Sequence, residues 1–227
     1  MQPYFFPYIG YYQLINAVDK FVLLDDVNFI KKGWINRNYI LVNGKPNLFT
    51  IPLRKASQNK MINEIEIDNE SGWSVKFLKT LTTSYKNAGF FKQTIKITEE
   101  LLKADYELIS DLIYCSIIKI KNYLGIETEI IRSSSVYNSK DLKGQDRILD
   151  ICLKEKAERY INAINGKSLY SKEVFLGNGV EIKFIKTNKI SYSSEQAVCG
   201  RSLSFLDMLM HCSVPEINEM LFKYELE

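Results

Sequence analysis

The first 26 residues limit the possible fold more than any other part of this sequence. Residues 1–6 are aromatic and extended, Pro7 and Gly10 mark a turn, and apolar residues then recur at helical spacing as far as Asp19. The run 21–25 is apolar, too short for a helix and bounded by charge, which predicts a buried strand. Strand, turn, helix and strand in this order predict the opening of a βαβ unit.

The remaining sequence continues the alternation of strands and helices. Strands are predicted at 39–42 and 48–53, joined through 43–46, because Asn-Gly between apolar runs is a strong hairpin signal. Residues 73–124 show helical periodicity, with a break at Gly89 and a cap at Gly125. Further segments are predicted as strands at 62–67, 127–132, 159–162 and 180–185, and as helices at 144–156 and from 203 onward. We therefore predict one α/β domain over residues 1–227, with a Rossmann-like, mostly parallel sheet, helices on both faces, a β-hairpin insertion and a helical middle segment.

Composition excludes several classes of protein and site. The 30 Lys and Arg residues exceed the 27 Asp and Glu residues by too little to indicate a DNA partner. The single histidine, His211, rules out a multi-histidine zinc site, and no metal site is predicted. His211 lies in an apolar helical segment, which favours a structural role over a catalytic one.

The cysteines and the apolar runs bear on localisation. Cys115, Cys152, Cys199 and Cys212 show no C-x-x-C spacing, and we expect buried, reduced thiols. The sequence shows no pattern of a secretory signal and no run near the roughly 20 apolar residues that cross a bilayer. A cytoplasmic protein without a membrane span is expected, as a monomer or a homo-oligomer.

The aromatic N-terminal stretch is the first candidate site. Six of the first twelve residues are aromatic, and Gly10 stands just before the first predicted helix. In α/β sheets the turn after the first strand binds ligands, because helix N-terminal amides face an anion there. The alternative is an aromatic core, but four tyrosine hydroxyls and a glutamine are hard to bury without partners. The predicted substrate contacts are Gln2, Tyr4, Tyr8 and Gly10, with Tyr11 as a catalytic candidate.

Asp25 and Asp26 follow the second predicted strand, and the carboxyl ends of parallel strands are where side chains meet a ligand. The pair could bind a cation, hold a ribose hydroxyl or accept a proton from an amine nucleophile. A solvated turn is the alternative. Because side chains alternate on extended backbone, one carboxylate of the pair is expected to face the site.

The segment 31–38 combines cations, amides and an indole ring. Arginine binds phosphate through two hydrogen bonds, lysine adds charge, and tryptophan stacks on a base or sugar. This inventory suits a nucleotide-linked substrate, single-stranded nucleic acid or a solvated basic loop. The predicted substrate contacts are Lys31, Lys32, Trp34, Asn36, Arg37 and Asn38.

Residues 162–168 resemble part of a phosphate-binding loop. The first glycine of the Walker pattern G-x-x-x-x-G-K-S/T is absent, so a Walker site is excluded. A strand-end turn whose amides and lysine meet an anion is still compatible with the segment. Asn162, Gly166 and Lys167 are its candidate substrate contacts.

The sequence resembles the WbqC-like protein family. The resemblance rests on residues 2–15 (QPYFFPYIGYYQLI) and 25–38 (DDVNFIKKGWINRN). It continues through 51–53 (IPL), 144–148 (GQDRI), 160–166 (YINAING) and 203–207 (LSFLD), and so covers nearly the whole chain. Family members usually carry a few apolar residues before the Gln-Pro, so for a chain that opens at Met1-Gln2 we expect either a short first strand or a misassigned start site. Where the family pattern has paired glycines, this chain has Asn165-Gly166, which makes a close backbone approach to a ligand harder.

The resemblance implies a role in bacterial surface polysaccharide synthesis, particularly of O-antigen, on a nucleotide-linked amino sugar. We expect an N-acyl- or aminoacyltransferase that forms an amide on a dTDP-type amino sugar, with an activated acyl donor as co-substrate and no identified cofactor. Asp25 or Asp26 would be the base, and Lys31, Lys32 and Arg37 would hold the diphosphate.

A fainter similarity leaves other functions open. The order strand, proline, glycine-aromatic, helix and aspartate is similar to the opening of the HIGH-type nucleotidyltransferases and of pantothenate synthetase. Those enzymes have a histidine beside the helix, where this chain has Tyr11. A nucleotidyltransferase-like enzyme and a non-catalytic sugar-nucleotide binding protein are the alternatives.

Overall fold

The computed structural model describes residues 1–192 and 202–227. Its α-helices are α1 (Ile9–Asn16), α2 (Trp73–Tyr85), α3 (Phe91–Leu102), α4 (Ile109–Leu124), α5 (Gly144–Lys154), α6 (Lys172–Gly177), α7 (Phe205–His211) and α8 (Val214–Leu221). Its strands are β1 (Lys20–Val22), β2 (Arg37–Val42), β3 (Lys45–Thr50), β4 (Leu53–Arg54), β5 (Glu66–Ile67), β6 (Glu129–Ile131), β7 (Arg159–Ala163), β8 (Glu181–Thr187) and β9 (Tyr224–Leu226).

The strands form four small sheets in the described chain. β1 pairs with β6 in parallel, and β7 pairs with β8 in parallel, while β9 adds to β8 antiparallel. β2–β3 and β4–β5 are antiparallel pairs. The predicted mixed α/β class and the parallel pairing are therefore confirmed. A single Rossmann-like sheet is not confirmed: in the described residues a groove separates the edge of β1 from the edge of β7, and two of the five strand pairings are parallel.

The predicted hairpin forms with a tighter turn than expected. Asn43 and Gly44 both have positive φ, 51° and 69°, which is the conformation of a two-residue type I′ turn. Val42 therefore faces Lys45, and β3 begins inside the segment that we had assigned to the loop.

The helical middle segment is present as α2, α3 and α4. Gly125, with φ 71°, ends α4 in the left-handed conformation that favours glycine. Buried residues such as Leu81 and Ile117 recur along the inner faces of these helices. α3 packs against α7 and α4 against α8, so the C-terminal helices complete this part of the core.

β8 has helices on both faces. Ile182 and Phe184 pack with Phe175 of α6 and Leu149 of α5 in a small core. Ile185 belongs to the main core, and α1 contacts both β7 and β8. Helices on both faces, as predicted, are thus found at this sheet.

The turn that leads into α1 is strained and held by distant residues. Phe6 has φ 40°, which is costly for a side chain that is not glycine. Its carbonyl oxygen accepts hydrogen bonds from Asn38 Nδ2 at 2.7 Å and from Ser204 Oγ at 2.9 Å. The N–H of Phe5 donates to the carbonyl of Ile35 at 3.1 Å. The hairpin and α7 therefore fix where α1 begins.

We expect Gly10→Ala to destabilise the protein. A Cβ at this position would lie 2.3 Å from the Tyr8 ring and 2.7 Å from Thr187 Oγ1, and overpacking of this kind costs about 1–3 kcal/mol. Gly177→Ala in α6 is the control, because a Cβ there meets no atom within 4 Å. Urea unfolding should show a loss for the first variant and none for the second; equal stabilities would contradict the steric role of Gly10.

Candidate functional site

The carboxyl ends of β1 and β6 bring a polar cluster together. Asp25 and Asp26 follow β1, and Ser133 and Ser134 follow β6, its parallel neighbour. Arg147 reaches the same place from the first turns of α5. We call these five residues the carboxylate cluster.

Asp26 is committed to a buried ion pair. Its Oδ1 lies 2.5 Å from Nη2 of Arg147, and both side chains are less than a tenth exposed. Arg147 Nη1 also donates to the Asp26 carbonyl oxygen at 3.1 Å, and the Ser134 hydroxyl donates to the carboxylate. Asp26 therefore anchors α5 to the end of β1.

Asp25 is buried and forms no ion pair with a cation of the described residues. Only 3% of the residue is exposed, and its Oδ1 accepts a hydrogen bond from Ser133 Oγ at 2.6 Å. Burial raises the pKa of the Asp25 carboxyl, the Ser133 hydrogen bond partly offsets this, and the neighbouring Asp26 charge adds to it. A carboxylate whose pKa is raised in this way is a better proton acceptor than an exposed one.

A chain of hydroxyls leads from Asp25 to the surface. Ser133 Oγ lies 2.7 Å from the hydroxyl of Ser135, and Ser135 is exposed. The buried carboxyl is therefore connected to solvent through two side chains that can each donate and accept a proton.

Sequence reasoning missed Ser133, Ser134 and the role of Arg147. The signal for the serines was present, since 133–135 is a run of three serines directly after a predicted strand. The sequence does not show, however, that β6 pairs with β1 and so brings these serines to the aspartates. Arg147 stood in a motif that we quoted, but its pairing with Asp26 spans 121 residues.

Of the N-terminal candidates, Gly10 and Tyr11 are buried, and Gln2, Tyr4 and Tyr8 are half-buried. Tyr11 is 1% exposed, and its hydroxyl donates to the Gln2 carbonyl at 2.9 Å. Gln2 is half-buried. Tyr4 and Tyr8 are also half-buried; burial raises the pKa of both hydroxyls, and the nearby Tyr8 raises that of Tyr4 further. Tyr8 borders a cavity of about 480 Å³ that is lined by residues 187–192, 202–205 and Met208.

The basic loop separates into exposed and buried parts. Lys31 and Lys32 are exposed, and Trp34 is about half exposed. The Arg37 guanidinium lies 5.7 Å from the Trp34 ring centroid, and its Nε donates to the Gly33 carbonyl at 2.7 Å.

Asn36 and Asn38, by contrast, are buried supports of the backbone. Asn36 Nδ2 donates to the Ile51 carbonyl and Asn38 Nδ2 to the Phe6 carbonyl, both at 2.7 Å. Asn38 Oδ1 also accepts the N–H of Tyr39. These contacts hold the hairpin against the rest of the fold.

Asn162 lies at the end of β7 in a tyrosine cluster. Its Nδ2 donates to the hydroxyls of Tyr160 and Tyr170 at 2.9 and 3.0 Å. A Cβ at Gly166 would lie 3.3 Å from the same Nδ2, so Gly166 makes room for the asparagine side chain. Lys167 is ion-paired with Glu227 at 2.8 Å. The structure thus brings Asn162 and Gly166 into contact, with Lys167 next in the chain. None of the contacts described for these three residues involves the carboxylate cluster.

The histidine and cysteine predictions concern residues outside these clusters. His211 Nε2 lies 4.0 Å from Asp207 Oδ1, and its ring packs edge-on against Tyr85. Cys152 and Cys212 are buried free thiols, and Cys115 is a half-buried one. Cys199 lies outside the described residues. No group of three or more His, Cys, Asp or Glu side chains suited to a metal ion occurs in residues 1–192 and 202–227.

Substitutions of the two adjacent aspartates should differ in their effect on stability. Asp26→Asn removes the charge that pairs with buried Arg147, and breaking such a pair costs about 3–5 kcal/mol. Asp25→Asn keeps an oxygen for the Ser133 hydroxyl and removes a carboxylate that burial disfavours.

The pH dependence follows from the same contacts. Because the folded-state pKa of Asp25 is raised, its contribution to stability is lost as pH rises through that pKa. At pH 7 we therefore expect Asp25→Asn to be at least as stable as the native protein. Asp26→Asn should be clearly less stable. Urea unfolding of both variants is the measurement, and equal losses would show that Asp25 is also structurally committed.

Comparison with known proteins gives the chain its family. No helix in the described residues has the length and apolar character to cross a membrane. No solved structure matches the chain. An uncharacterized protein of Mycobacterium tuberculosis (strain ATCC 25618 / H37Rv), Rv1507c, is 28% identical over 177 residues, which cover 77% of this chain and 75% of that protein. The model of the WbqC-like protein family matches residues 2–219, and the chain therefore belongs to that family.

Proposed function

We propose that this protein is a cytoplasmic transferase of surface polysaccharide biosynthesis, including O-antigen, that forms an amide on the amino group of a nucleotide-linked, dTDP-type amino sugar. The observation that carries the proposal is Asp25, a buried carboxylate with a raised pKa at the carboxyl end of a parallel strand. Family membership is compatible with this role and leaves the reaction open.

The reaction needs a base for the sugar amine. An ammonium group must lose a proton before its nitrogen can attack, and a general base is most effective when its pKa lies near the working pH. In the proposed step Asp25 takes one proton from the ammonium group, and the amine nitrogen then bonds to the acyl carbon. The bond from that carbon to the donor's sulfur or oxygen breaks, and the second N–H proton passes to the thiol, phosphate or tRNA hydroxyl that leaves. Ser133 and Ser135 then return the proton on Asp25 to solvent.

The exposed part of the basic loop is the proposed contact for the nucleotide. Lys31 and Lys32 form no ion pair with the described residues, so their charges are available to a diphosphate. Trp34 presents an exposed ring beside Arg37, an arrangement suited to stacking on a base.

The direct test is an amide-forming assay. The purified protein is incubated with dTDP-linked amino sugars and, in separate reactions, with an acyl-CoA, an acyl phosphate or an aminoacyl-tRNA, and the product is identified by mass spectrometry. We expect an N-acylated nucleotide sugar with one donor class. Asp25→Asn should reduce the rate by about 10²–10⁴, the usual contribution of a general base.

Two results would overturn the proposal. An absence of amide with every donor would reject amide transfer. Tight binding of the nucleotide sugar without turnover, unchanged in Asp25→Asn, would assign a binding module. Glu99→Gln on the exposed side of α3 is the matched control for loss of one carboxylate charge, and its rate should equal that of the native protein.

The pH–rate profile gives an independent prediction. The rate should rise with pH through the pKa of Asp25, which lies above the ordinary value of 3.8. Ser133→Ala removes a hydrogen bond that lowers this pKa, so the acidic limb should move to higher pH. An acidic limb that stays in place in this variant would show that another group titrates.

A further inference from the structure

The segment between Asp26 and Glu64 contains no acidic residue. Its 37 residues, 27–63, include seven lysines and arginines, so that its formal charge is +7. The whole chain carries +3, which means that all other residues together carry −4. The small excess of cations in the whole chain thus conceals one strongly basic segment, and charge separated in this way attracts a polyanion.

The structure brings two loops of this segment together, one that follows Phe29 and one that ends at Lys60. The N–H of Phe29 donates to the Lys60 carbonyl at 2.9 Å. Asn28 Nδ2 donates to the Gln58 carbonyl at 2.7 Å. Cations that the hairpin separates in the sequence therefore lie on neighbouring loops.

The cations of these loops are largely free of acidic partners. Arg54 is paired with Glu70 at 2.7 Å, whereas five others form no ion pair with the described residues. Three of the five are exposed lysines, and Arg37 and Lys60 are half-buried. We call these five residues the basic surface: Lys31, Lys32, Arg37, Lys55 and Lys60.

The charge of the basic surface exceeds what a nucleotide sugar needs. Its diphosphate can be balanced by Lys31 and Lys32, one lysine for each phosphate. Arg37, Lys55 and Lys60 then still lack an anion. Because like charges on neighbouring loops repel each other, this excess fits a ligand that brings further phosphates.

The positive charge also extends beyond the basic surface. Lys45 is exposed, and it lies opposite Val42 in the hairpin. Side chains alternate along a strand, so Lys45 projects from the other face of the hairpin than Arg37. Positive charge on both faces of the hairpin favours a macromolecular polyanion over a small ligand in one pocket.

The basic surface begins close to the carboxylate cluster. The N–H of Asn63 donates to the Asp25 carbonyl, and the N–H of Phe29 donates to the Lys60 carbonyl, so the two segments run side by side in opposite directions. The four steps from Asp25 to Phe29 cover at most about 13 Å at roughly 3.3 Å per residue. A nucleic acid strand carries a phosphate about every 3.4 Å, so roughly four nucleotides span this distance.

We propose that the basic surface binds the unpaired 3′ end of an aminoacyl-tRNA, which supplies the acyl group for the reaction at Asp25. This inference rests on the proposed function and selects one of its three donor classes. The aminoacyl ester is carried on the last ribose, so the acyl carbon lies at Asp25 while the preceding phosphates lie along Arg37, Lys55 and Lys60. The bond from the acyl carbon to the ribose oxygen breaks, and that hydroxyl leaves with the second N–H proton of the amine.

The first test is binding of an RNA without an amino acid, because it does not depend on catalysis. A labelled RNA hairpin that ends in unpaired ACCA is compared by fluorescence anisotropy with the same hairpin lacking these nucleotides. We expect the ACCA hairpin to bind at least tenfold more tightly. Its log Kd should rise with log salt concentration with a slope of about 2, roughly 0.7 for each of three phosphate contacts.

A double substitution tests the residues. Lys55→Gln with Lys60→Gln should weaken binding of the ACCA hairpin about tenfold and lower the salt slope by about 1.4, roughly 0.7 for each lysine. Lys92→Gln with Lys96→Gln, on the exposed side of α3, is the matched control and should bind like the native protein. In the amide assay the first pair should raise the KM for aminoacyl-tRNA and leave the KM for the nucleotide sugar unchanged. Equal losses of RNA binding in both pairs would overturn the proposal.

The outcomes separate this inference from amide transfer itself. Amide formed only from an acyl-CoA or an acyl phosphate, with no preference for the ACCA hairpin, would overturn the RNA donor and keep amide transfer. Preferential binding of the ACCA hairpin without amide from any donor would support the RNA surface and reject its use in transfer. Displacement of the RNA by coenzyme A at equal phosphate concentration would assign a thioester donor. Equal affinity for phosphatidylglycerol vesicles would assign a membrane surface, and either result would overturn the proposal.

Discussion

The carbonyl oxygen of Phe6 is the contact on which the arrangement of this protein depends. It accepts hydrogen bonds from Asn38 in the hairpin and from Ser204 before α7, across 32 and 198 positions of the chain. Phe6 has an unfavourable φ of 40°, so these two donors maintain a conformation that the local sequence does not prefer. Because α1 starts three residues later, its direction and its contact with β8 follow from this one acceptor.

The adjacent aspartates differ in role because their side chains contact different partners, although the residue type is the same. Both are buried at the end of β1, yet Asp26 meets a guanidinium and Asp25 meets a serine hydroxyl. An ion pair stabilises the charged form, and it holds α5 in place. The donors to Asp25 are neutral, namely the Ser133 hydroxyl and the backbone N–H groups of Asp25 and Ser134, and they offset its burial only in part, so that its pKa is raised. The same short sequence therefore supplies one structural carboxylate and one that is suited to accept a proton.

Sequence patterns predicted those features whose causes are local. The hairpin at Asn43-Gly44 and the end of α4 at Gly125 depend on positive φ, which neighbouring residues reveal. The positions of Asp25 and Asp26 after a strand were also predictable. The pairing of Asp26 with Arg147 was not, because it depends on which strands become neighbours. Asn36 and Asn38 were predicted to contact substrate from their residue type, whereas the structure shows their amides donating to backbone carbonyls.

Because the chain has a single histidine, which lies outside the carboxylate cluster, a proton acceptor in that cluster has to be a carboxyl group. With His211 beside Asp207 in the C-terminal helices, the carboxylate cluster contains no imidazole that titrates near neutral pH. A carboxyl group becomes a better proton acceptor when burial disfavours its charge and no cation compensates. Asp25 meets both conditions in the described chain, and Ser133 with Ser135 connects it to solvent. The burial of Asp25 after β1 is therefore what makes proton transfer by a carboxyl group chemically reasonable here.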